Sequence, residues 1–174
     1  MVNFQEFELS RLAKVMTSVR GKLDRTDYFE KGTILEKAVA TYSDGQLARV
    51  NKDGHDFEDI DGITYEQKIV TIASKPRGGP MIRGFILKNW HGATKDFSES
   101  MLADYYIFLD PVNMKMCVVP NNFVSVRETK AANVTADCDP LPEHFVNLPE
   151  VEEITSFFKQ KDEWVNNLLK SVPA

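Results

Sequence analysis

The sequence predicts a mixed α/β (α+β) domain, with a central mixed five-stranded sheet flanked by helices. Apolar residues recur at helical spacing near both ends of the chain, over residues 3–21 and 150–171. The stretches 64–73 and 104–110 have the apolar or alternating pattern of strands in a central sheet. Helices and sheets with one apolar face bury that face in layers, which favours a sheet covered by helices.

The length and composition indicate a single domain over residues 1–174. Apolar residues make up 43% of the chain, which is enough for a core, and charged residues make up 27%. No apolar run reaches the length of a membrane span, and the N-terminus lacks the pattern of a signal peptide. Cys117 and Cys138 lack the spacing of a zinc site or a disulfide framework. The sequence therefore predicts a cytoplasmic protein that does not bind a membrane.

Two helices are predicted at the start of the chain. The first, within residues 1–22, has an apolar stripe that suits either a core helix or half of a dimer interface. The second runs from about residue 29 or 31 to residue 42 and carries Glu36 close to its apolar stripe. Taken alone, Glu36 is more often a surface glutamate.

The stretch from Gly54 to Thr71 combines acidic residues, a glycine turn and a strand. Residues two apart on a strand share a face, so Glu66 and Lys68 project together, with Gln67 on the opposite side. Asp56 precedes the turn. Carboxylate oxygens bind hard divalent cations, and an ammonium group supplies a positive charge beside a phosphate. On its own, Glu-x-Lys more often forms a cross-strand ion pair on a solvated face.

A longer pattern surrounds these residues: Gly-x-Asp-x-x-Asp-x-x-Gly-x-x-Tyr-Glu-x-Lys, formed by Gly54, Asp56, Asp59, Gly62, Tyr65, Glu66 and Lys68. It resembles the PD-(D/E)XK nuclease superfamily, whose members share the restriction-endonuclease-like fold. His55 stands where proline is typical of that superfamily. The resemblance implies the same fold and a metal-dependent DNA endonuclease.

The resemblance also assigns roles to single residues. It implies that Asp56 and Glu66 bind Mg²⁺, together with the main-chain carbonyl of Gln67. Lys68 becomes the catalytic lysine, which orients or deprotonates water or stabilises the transition state; the sequence leaves these alternatives open. In the superfamily a glutamate on the preceding helix often reaches into the active site; Glu36 is the matching candidate, with Glu30 as the second.

Asp59 competes with Asp56 for the role of metal ligand, because it lies in the same acidic run and also fits the pattern. Its odd offset from Asp56 turns it to the opposite face of an extended segment, unless a bulge intervenes. We therefore expect Asp56 to be the ligand.

The net charge of −5 disfavours non-specific binding of nucleic acid, but the cations are unevenly distributed. Residues 75–95 contain lysines and arginines and no acidic residue, which suits a basic cleft. We expect five DNA-binding residues: Arg77 and Arg83 near phosphates, and, by a loose correspondence with the resembled family, Lys88, Asn89 and His91 at base edges. The alternative roles are a mobile hairpin tip for residues 75–80 and a surface position for His91.

The rest of the chain is predicted to complete the sheet. Residues 104–110 form the strongest strand pattern, and residues 114–119 return as a second strand. The polar, acidic and proline-containing segment 127–149 is expected to be a surface loop. An amphipathic helix is predicted over residues 150–171.

The preferred function is a Mg²⁺-dependent type II restriction endonuclease that cleaves double-stranded DNA as a homodimer. Two alternatives remain at this stage. One is a structure-specific, phage or repair nuclease of the same fold, and the other is a non-catalytic DNA-binding or interaction protein.

Overall fold

Two helices occupy the N-terminal part of the structure, a computed structural model that describes residues 2–19, 25–52, 55–89, 102–127 and 133–151. Helix α1 spans Leu9–Val19 and follows a 3₁₀ turn at Phe4–Glu6, and helix α2 spans Arg25–Thr41. Both helices were predicted, although α2 begins earlier than expected. Within the described residues, no helix is long and apolar enough to cross a membrane.

Ten strands follow α2 in the described part of the chain. They are β1 (Leu47–Lys52), β2 (His55–Asp59), β3 (Thr64–Ile69), β4 (Ala73–Ser74), β5 (Pro80–Asn89), β6 (Tyr105–Asp110), β7 (Lys115–Pro120), β8 (Val124–Val126), β9 (Asn133–Cys138) and β10 (Phe145–Val146). The chain therefore has a mixed α/β fold.

The strands form two sheets. The larger has the order β1-β2-β3-β6-β7-β10, and the smaller has the order β4-β5-β9-β8. In the larger sheet β3 and β6 are parallel, and the other neighbouring strands are antiparallel. The predicted central positions of the strands over 64–73 and 104–110 are confirmed for β3 and β6, the two middle strands of this mixed sheet. The predicted bounds of the first strand are wrong, because β3 ends at Ile69 and Ala73–Ser74 belong to the smaller sheet.

The expected five strands and the surface loop over 127–149 are corrected by the structure. The larger sheet has six strands, and β9 and β10 both lie inside the expected loop. Val134, Ala136 and Cys138 alternate along β9 and are buried, whereas Asp137 projects to the other side. The surrounding acidic residues and prolines concealed this period-two pattern in the sequence.

The larger sheet separates two apolar cores. On one side, α1 and α2 pack against it through residues such as Leu12, Leu35 and Phe57. On the other side, the two sheets pack together through residues such as Phe85 and Phe108. The apolar stripe of α1 therefore packs in the core of its own chain. Of the two roles expected for this helix, core helix or half of a dimer interface, the structure shows the first.

The predicted C-terminal helix over 150–171 lies almost wholly outside the described residues. Only its first two positions, Glu150 and Val151, are described, and they are not helical.

Asp110, at the end of β6, joins the central strands to the next turn. This buried carboxylate accepts hydrogen bonds from the backbone N–H groups of Ile72, Val112 and Asn113, at 2.9, 3.1 and 3.0 Å. The side-chain Nδ2 of Asn113 donates a further bond at 2.8 Å. Asp110 thus fixes the chain that leaves β3 against the end of β6.

We predict that Asp110→Ala lowers the free energy of unfolding by about 3 kcal/mol, because buried donors left without an acceptor cost about 1–3 kcal/mol each. Asp110→Asn keeps one acceptor oxygen and should lose markedly less. Chemical denaturation of both variants measures the difference. Equal stability of Asp110→Ala and the parent would show that this network does not hold the central strands.

Candidate active site

The site begins where the pairing between β2 and β3 ends. The last pair of the ladder is Phe57 with Tyr65. One residue further, a carboxylate oxygen of Asp56 accepts a hydrogen bond from the backbone N–H of Gln67 at 2.8 Å. The side chain of Asp56 thus supplies the acceptor that a backbone carbonyl provides in a regular ladder. Continuing the register would set Asp56 directly opposite Glu66.

Glu66 and Lys68 project from β3 towards the smaller sheet. Their partners in the parallel ladder are Tyr106 and Phe108, which lie in the core between the two sheets. Lys68 Nζ and Glu66 Oε1 are 2.9 Å apart, and the two side chains are 22% and 14% exposed. The expected common face of Glu66 and Lys68 is therefore present, and the two groups form a partly buried ion pair.

A second ion pair approaches the same region from the helical side. Arg49 on β1 donates through Nε to Glu36 Oε2 on α2 at 3.2 Å, and both side chains are 22% exposed. One helical turn before Glu36, the carbonyl of Gly32 accepts a bond from Gln67 Nε2 at 3.4 Å. The other amide atom, Gln67 Oε1, is buried and has no hydrogen-bond partner among the residues that the structure describes. Gln67 thus connects α2 to the strand that carries Glu66 and Lys68.

The carboxyl groups of this region influence one another electrostatically. Burial is the largest cause of a raised pKa at Glu36, Asp56 and Glu66. The charge of Asp56 raises the pKa of Glu36 and Glu66 further. Lys68 lowers the pKa of all three groups, and Arg49 lowers that of Glu36 and Asp56, but burial prevails. The five residues form one charged cluster, which we call the carboxylate cluster.

His55 stands at the margin of the carboxylate cluster. Its Nε2 lies 2.8 Å from Glu58 Oε1. Its charge lowers the pKa of Asp56 and Glu66. The residue that occupies the usual proline position of the resembled motif thus adds a polar group beside the acids.

Asp59 does not join the carboxylate cluster through its hydrogen bonds. Its Oδ1 accepts bonds from the backbone N–H groups of Asp61 and Ile63, at 2.9 and 3.0 Å, and its Oδ2 accepts one from the Tyr65 hydroxyl at 3.2 Å. These contacts close the turn between β2 and β3, where Gly62 has a φ of 78°. The geometry gives Asp59 a structural role in the turn.

The acidic groups make contacts that a metal ion would have to replace or share. Within the described ranges, no three His, Cys, Asp or Glu side chains are arranged to hold one metal ion. Glu66 contacts Lys68, and one oxygen of Asp56 accepts the Gln67 N–H bond. The other carboxylate oxygens of Asp56 and Glu66 are the type of metal ligand that Mg²⁺ prefers.

The expected DNA-binding residues are only partly described. Arg77 is exposed in the turn between β4 and β5. Lys88 and Asn89 extend β5, where their backbones pair with Val134 and Asn133, and nothing is described of their side chains. His91 lies outside the described residues.

The basic stretch 75–95 is not free of acidic neighbours in space. Asp139 lies 2.6 Å from Arg83 Nη1 and 3.1 Å from Lys75 Nζ. The same Arg83 nitrogen also donates to the carbonyls of Ile82 and Cys138. Arg83 therefore lies beside acidic residues in the folded chain, because β9 and the residue after it run alongside β5, and its contact with a DNA phosphate stays a prediction.

Comparison with known proteins does not identify a family. No protein-family model matches the chain, and no curated protein matches it. A solved structure described as "Crystal Structure of MepB" aligns with a TM-score of 0.30 and 11% sequence identity, covering 70% of this chain and 82% of that chain. A likeness at this level identifies neither fold nor function.

Two charged residues of the site were missed from sequence. Arg49 lies in a short strand before the motif, and His55 lies inside the motif. The hairpin formed by β1 and β2 was a usable signal, because it brings Arg49 opposite Phe57. That pairing depends on the extra residue in β1 between Arg49 and Lys52, and the sequence does not reveal this residue as a bulge.

We predict that Asp56→Asn becomes more stable relative to the parent as pH rises. The asparagine oxygen can still accept the Gln67 bond, but the charge is removed. Because the pKa of Asp56 is raised above its ordinary value of 3.8, the folded state holds this proton more tightly than the unfolded state. Ionisation of Asp56 therefore removes stability from the parent as pH increases from about 4 towards 7.

Chemical denaturation in EDTA at several pH values measures this difference. Asp44→Asn, which changes an exposed carboxylate in a turn, is the matched control for the substitution itself. A pH dependence for Asp56→Asn no larger than that for Asp44→Asn would show that burial does not destabilise the charged form of Asp56.

Proposed function

We propose that this protein is a Mg²⁺-dependent DNA endonuclease of the PD-(D/E)XK superfamily with the restriction-endonuclease-like fold. The observation that carries the proposal is the approach of Asp56, Glu66 and Lys68 at the point where β2 and β3 cease to pair. Two acids and one lysine form the donor set that metal-assisted phosphodiester hydrolysis requires. The parallel central strands and the mixed sheet support the proposed fold.

The acidic residues fit a magnesium ion with few protein ligands. Mg²⁺ is commonly held by one or two carboxylates and keeps several waters or substrate oxygens, so a cage of three acidic side chains is not needed. Asp56 and Glu66 would hold the ion, together with the main-chain carbonyl of Gln67. Burial raises the pKa of both acids because it destabilises their charged forms, and a bound cation would stabilise those forms. When bound, the ion supplies Lewis-acid polarisation of the phosphate and an activated water.

Lys68 supplies the mobile positive charge of the proposed site. In the structure its ammonium group is paired with Glu66. A cation held by Glu66 would weaken this ion pair, and the Lys68 ammonium group would then be available to the phosphate. There it either stabilises the charge of the transition state or exchanges a proton with the attacking water. Tyr106 and Phe108 lie beside Glu66 and Lys68 on the same face of the sheet and belong to the core between the two sheets.

The proposed substrate is double-stranded DNA, and the proposed class is a type II restriction endonuclease that acts as a homodimer. A small subunit cleaves both strands when two copies place two active sites on a two-fold-symmetric target. A structure-specific nuclease uses the same cluster without reading a sequence. Discrete fragments from plasmid and phage DNA support the first class, whereas smearing or nicking supports the second.

We predict that Asp56→Asn, Glu66→Gln and Lys68→Met each reduce Mg²⁺-dependent cleavage by at least about 100-fold. The parent should cleave with Mg²⁺ and not with EDTA. Binding of DNA should persist in the two acid variants, because removal of negative charge relieves repulsion of phosphates. Gel assays of cleavage and fluorescence anisotropy of binding measure the two properties separately.

Asp59→Asn is the matched control for this experiment. It removes the same charge from the same acidic run, but its contacts lie in the turn. It should keep cleavage near the parental rate. Loss of activity in Asp59→Asn with activity retained in Asp56→Asn would exchange their roles. Retained activity in Asp56→Asn, Glu66→Gln and Lys68→Met together would refute the nuclease mechanism.

We also predict that Arg77→Gln weakens DNA binding more than Arg83→Gln. Arg77 is exposed at the turn, whereas a terminal nitrogen of Arg83 already donates to Asp139 and two carbonyls. Loss of one phosphate contact should reduce the slope of log K against log[salt] by about one. Equal effects of the two variants would show that the Asp139 contact does not hold Arg83 away from DNA.

A further inference from the structure

The proposed nuclease mechanism gives no role to the ion pair between Glu36 and Arg49. We propose that Arg49 binds a phosphate of the DNA backbone at the active site, and that Glu36 positions its guanidinium group. This inference rests on the proposed function. It changes the expected role of Glu36 from a group that reaches for the metal ion to one that holds a substrate-binding cation.

The position of Arg49 supports this assignment. The extra residue in β1 sets Arg49 opposite Phe57, next in sequence to Asp56. Arg49 therefore stands on the strand beside the one that carries a proposed metal ligand. Its side chain is only 22% exposed, so it is held in place while remaining accessible at the surface. Phe57 packs on the side of the larger sheet that α1 and α2 cover, so Arg49 lies on that side, where it meets Glu36.

Glu36 contacts Arg49 at one edge of the guanidinium group, where Glu36 Oε2 accepts a bond from Nε at 3.2 Å. The four other N–H donors of a guanidinium group lie on its two terminal nitrogens, in a planar fork that matches two phosphate oxygens. A carboxylate at Nε fixes the plane of the fork, which reduces the entropy lost on binding. Arg83 differs, because its terminal nitrogen makes the contact with Asp139.

The charges of the carboxylate cluster agree with this division of roles. Asp56 and Glu66 together balance one divalent cation. The charge of Glu36 is neutralised by Arg49. The positive guanidinium group beside Glu36 disfavours binding of a metal ion by the same carboxylate. Lys68 and the fork of Arg49 then face the negative charge that DNA brings. The cluster thus separates a cation-binding half on β2 and β3 from a phosphate-binding half on β1 and α2.

The experiment compares Arg49→Gln with Arg11→Gln. Arg11 is the matched control, because it also pairs with a glutamate, Glu8, at 3.6 Å, but on the exposed face of α1. Binding of a fluorescent DNA duplex is titrated in EDTA at several salt concentrations. Arg49→Gln should bind about 10-fold more weakly, and its slope of log K against log[salt] should fall by about one. Arg11→Gln should match the parent in both.

Calorimetric titration with Mg²⁺ alone separates the two roles further. Arg49→Gln should bind Mg²⁺ at least as tightly as the parent, since it removes a positive charge. Glu36→Gln keeps an oxygen that can accept the Nε–H bond, so it should keep Mg²⁺ affinity and most of the DNA affinity. If Glu36→Gln weakens Mg²⁺ binding as strongly as Glu66→Gln does, Glu36 is a metal ligand and the positioning role is refuted.

Failure of this inference differs from failure of the proposed function. If the parent itself does not bind DNA in these titrations, the proposed function fails and the role of Arg49 fails with it. If the parent binds and cleaves DNA while Arg49→Gln keeps the parental affinity and slope, only the role of Arg49 is refuted. Circular dichroism checks folding. If Arg49→Gln does not fold, Arg49→Lys, which keeps the charge but lacks the fork, should keep the slope and bind more weakly; parental affinity would refute the fork.

Discussion

The parallel pairing of β3 with β6 is the constraint on which the rest of the structure depends. Side chains alternate along this pair, so Tyr65 and Ile107 face the helices, whereas Glu66 and Phe108 face the smaller sheet. A shift of one residue would send every side chain to the other face and bury charges in an apolar core. The reciprocal bonds of Thr64 with Asp104 at the start of the pair hold its register.

The carboxylate cluster places charged carboxylates in a partly buried position, which is energetically unfavourable. Burial raises the pKa of Glu36, Asp56 and Glu66, so each charged carboxylate costs stability that contacts elsewhere must offset. Structures concentrate such groups where charge is needed for chemistry. The ion pairs with Lys68 and Arg49 reduce the cost and also keep two cations close to the acids.

The sequence was sufficient for the parts of the fold that follow from local periodicity. The two N-terminal helices, the central strands and the common face of Glu66 and Lys68 follow from spacings of 3.6 and 2 residues. It was insufficient where long-range pairing decides. β9 was hidden among acidic residues, and Asp139, which follows it, contacts Arg83, 56 residues away in the chain. Arg49 was missed because the bulge in β1 sets the face to which it points.

The hydrogen bond between Gln67 and Asp56 limits which residues can replace Asp56 during evolution. One carboxylate both fastens two strands and contributes an acid to the charged cluster. A chain that loses the acid must also find another acceptor for a strand N–H group, so few side chains can stand at this position. Asparagine at position 56 removes the charge but keeps an oxygen that can accept this bond. A relative with that substitution would keep the shape of the site almost unchanged.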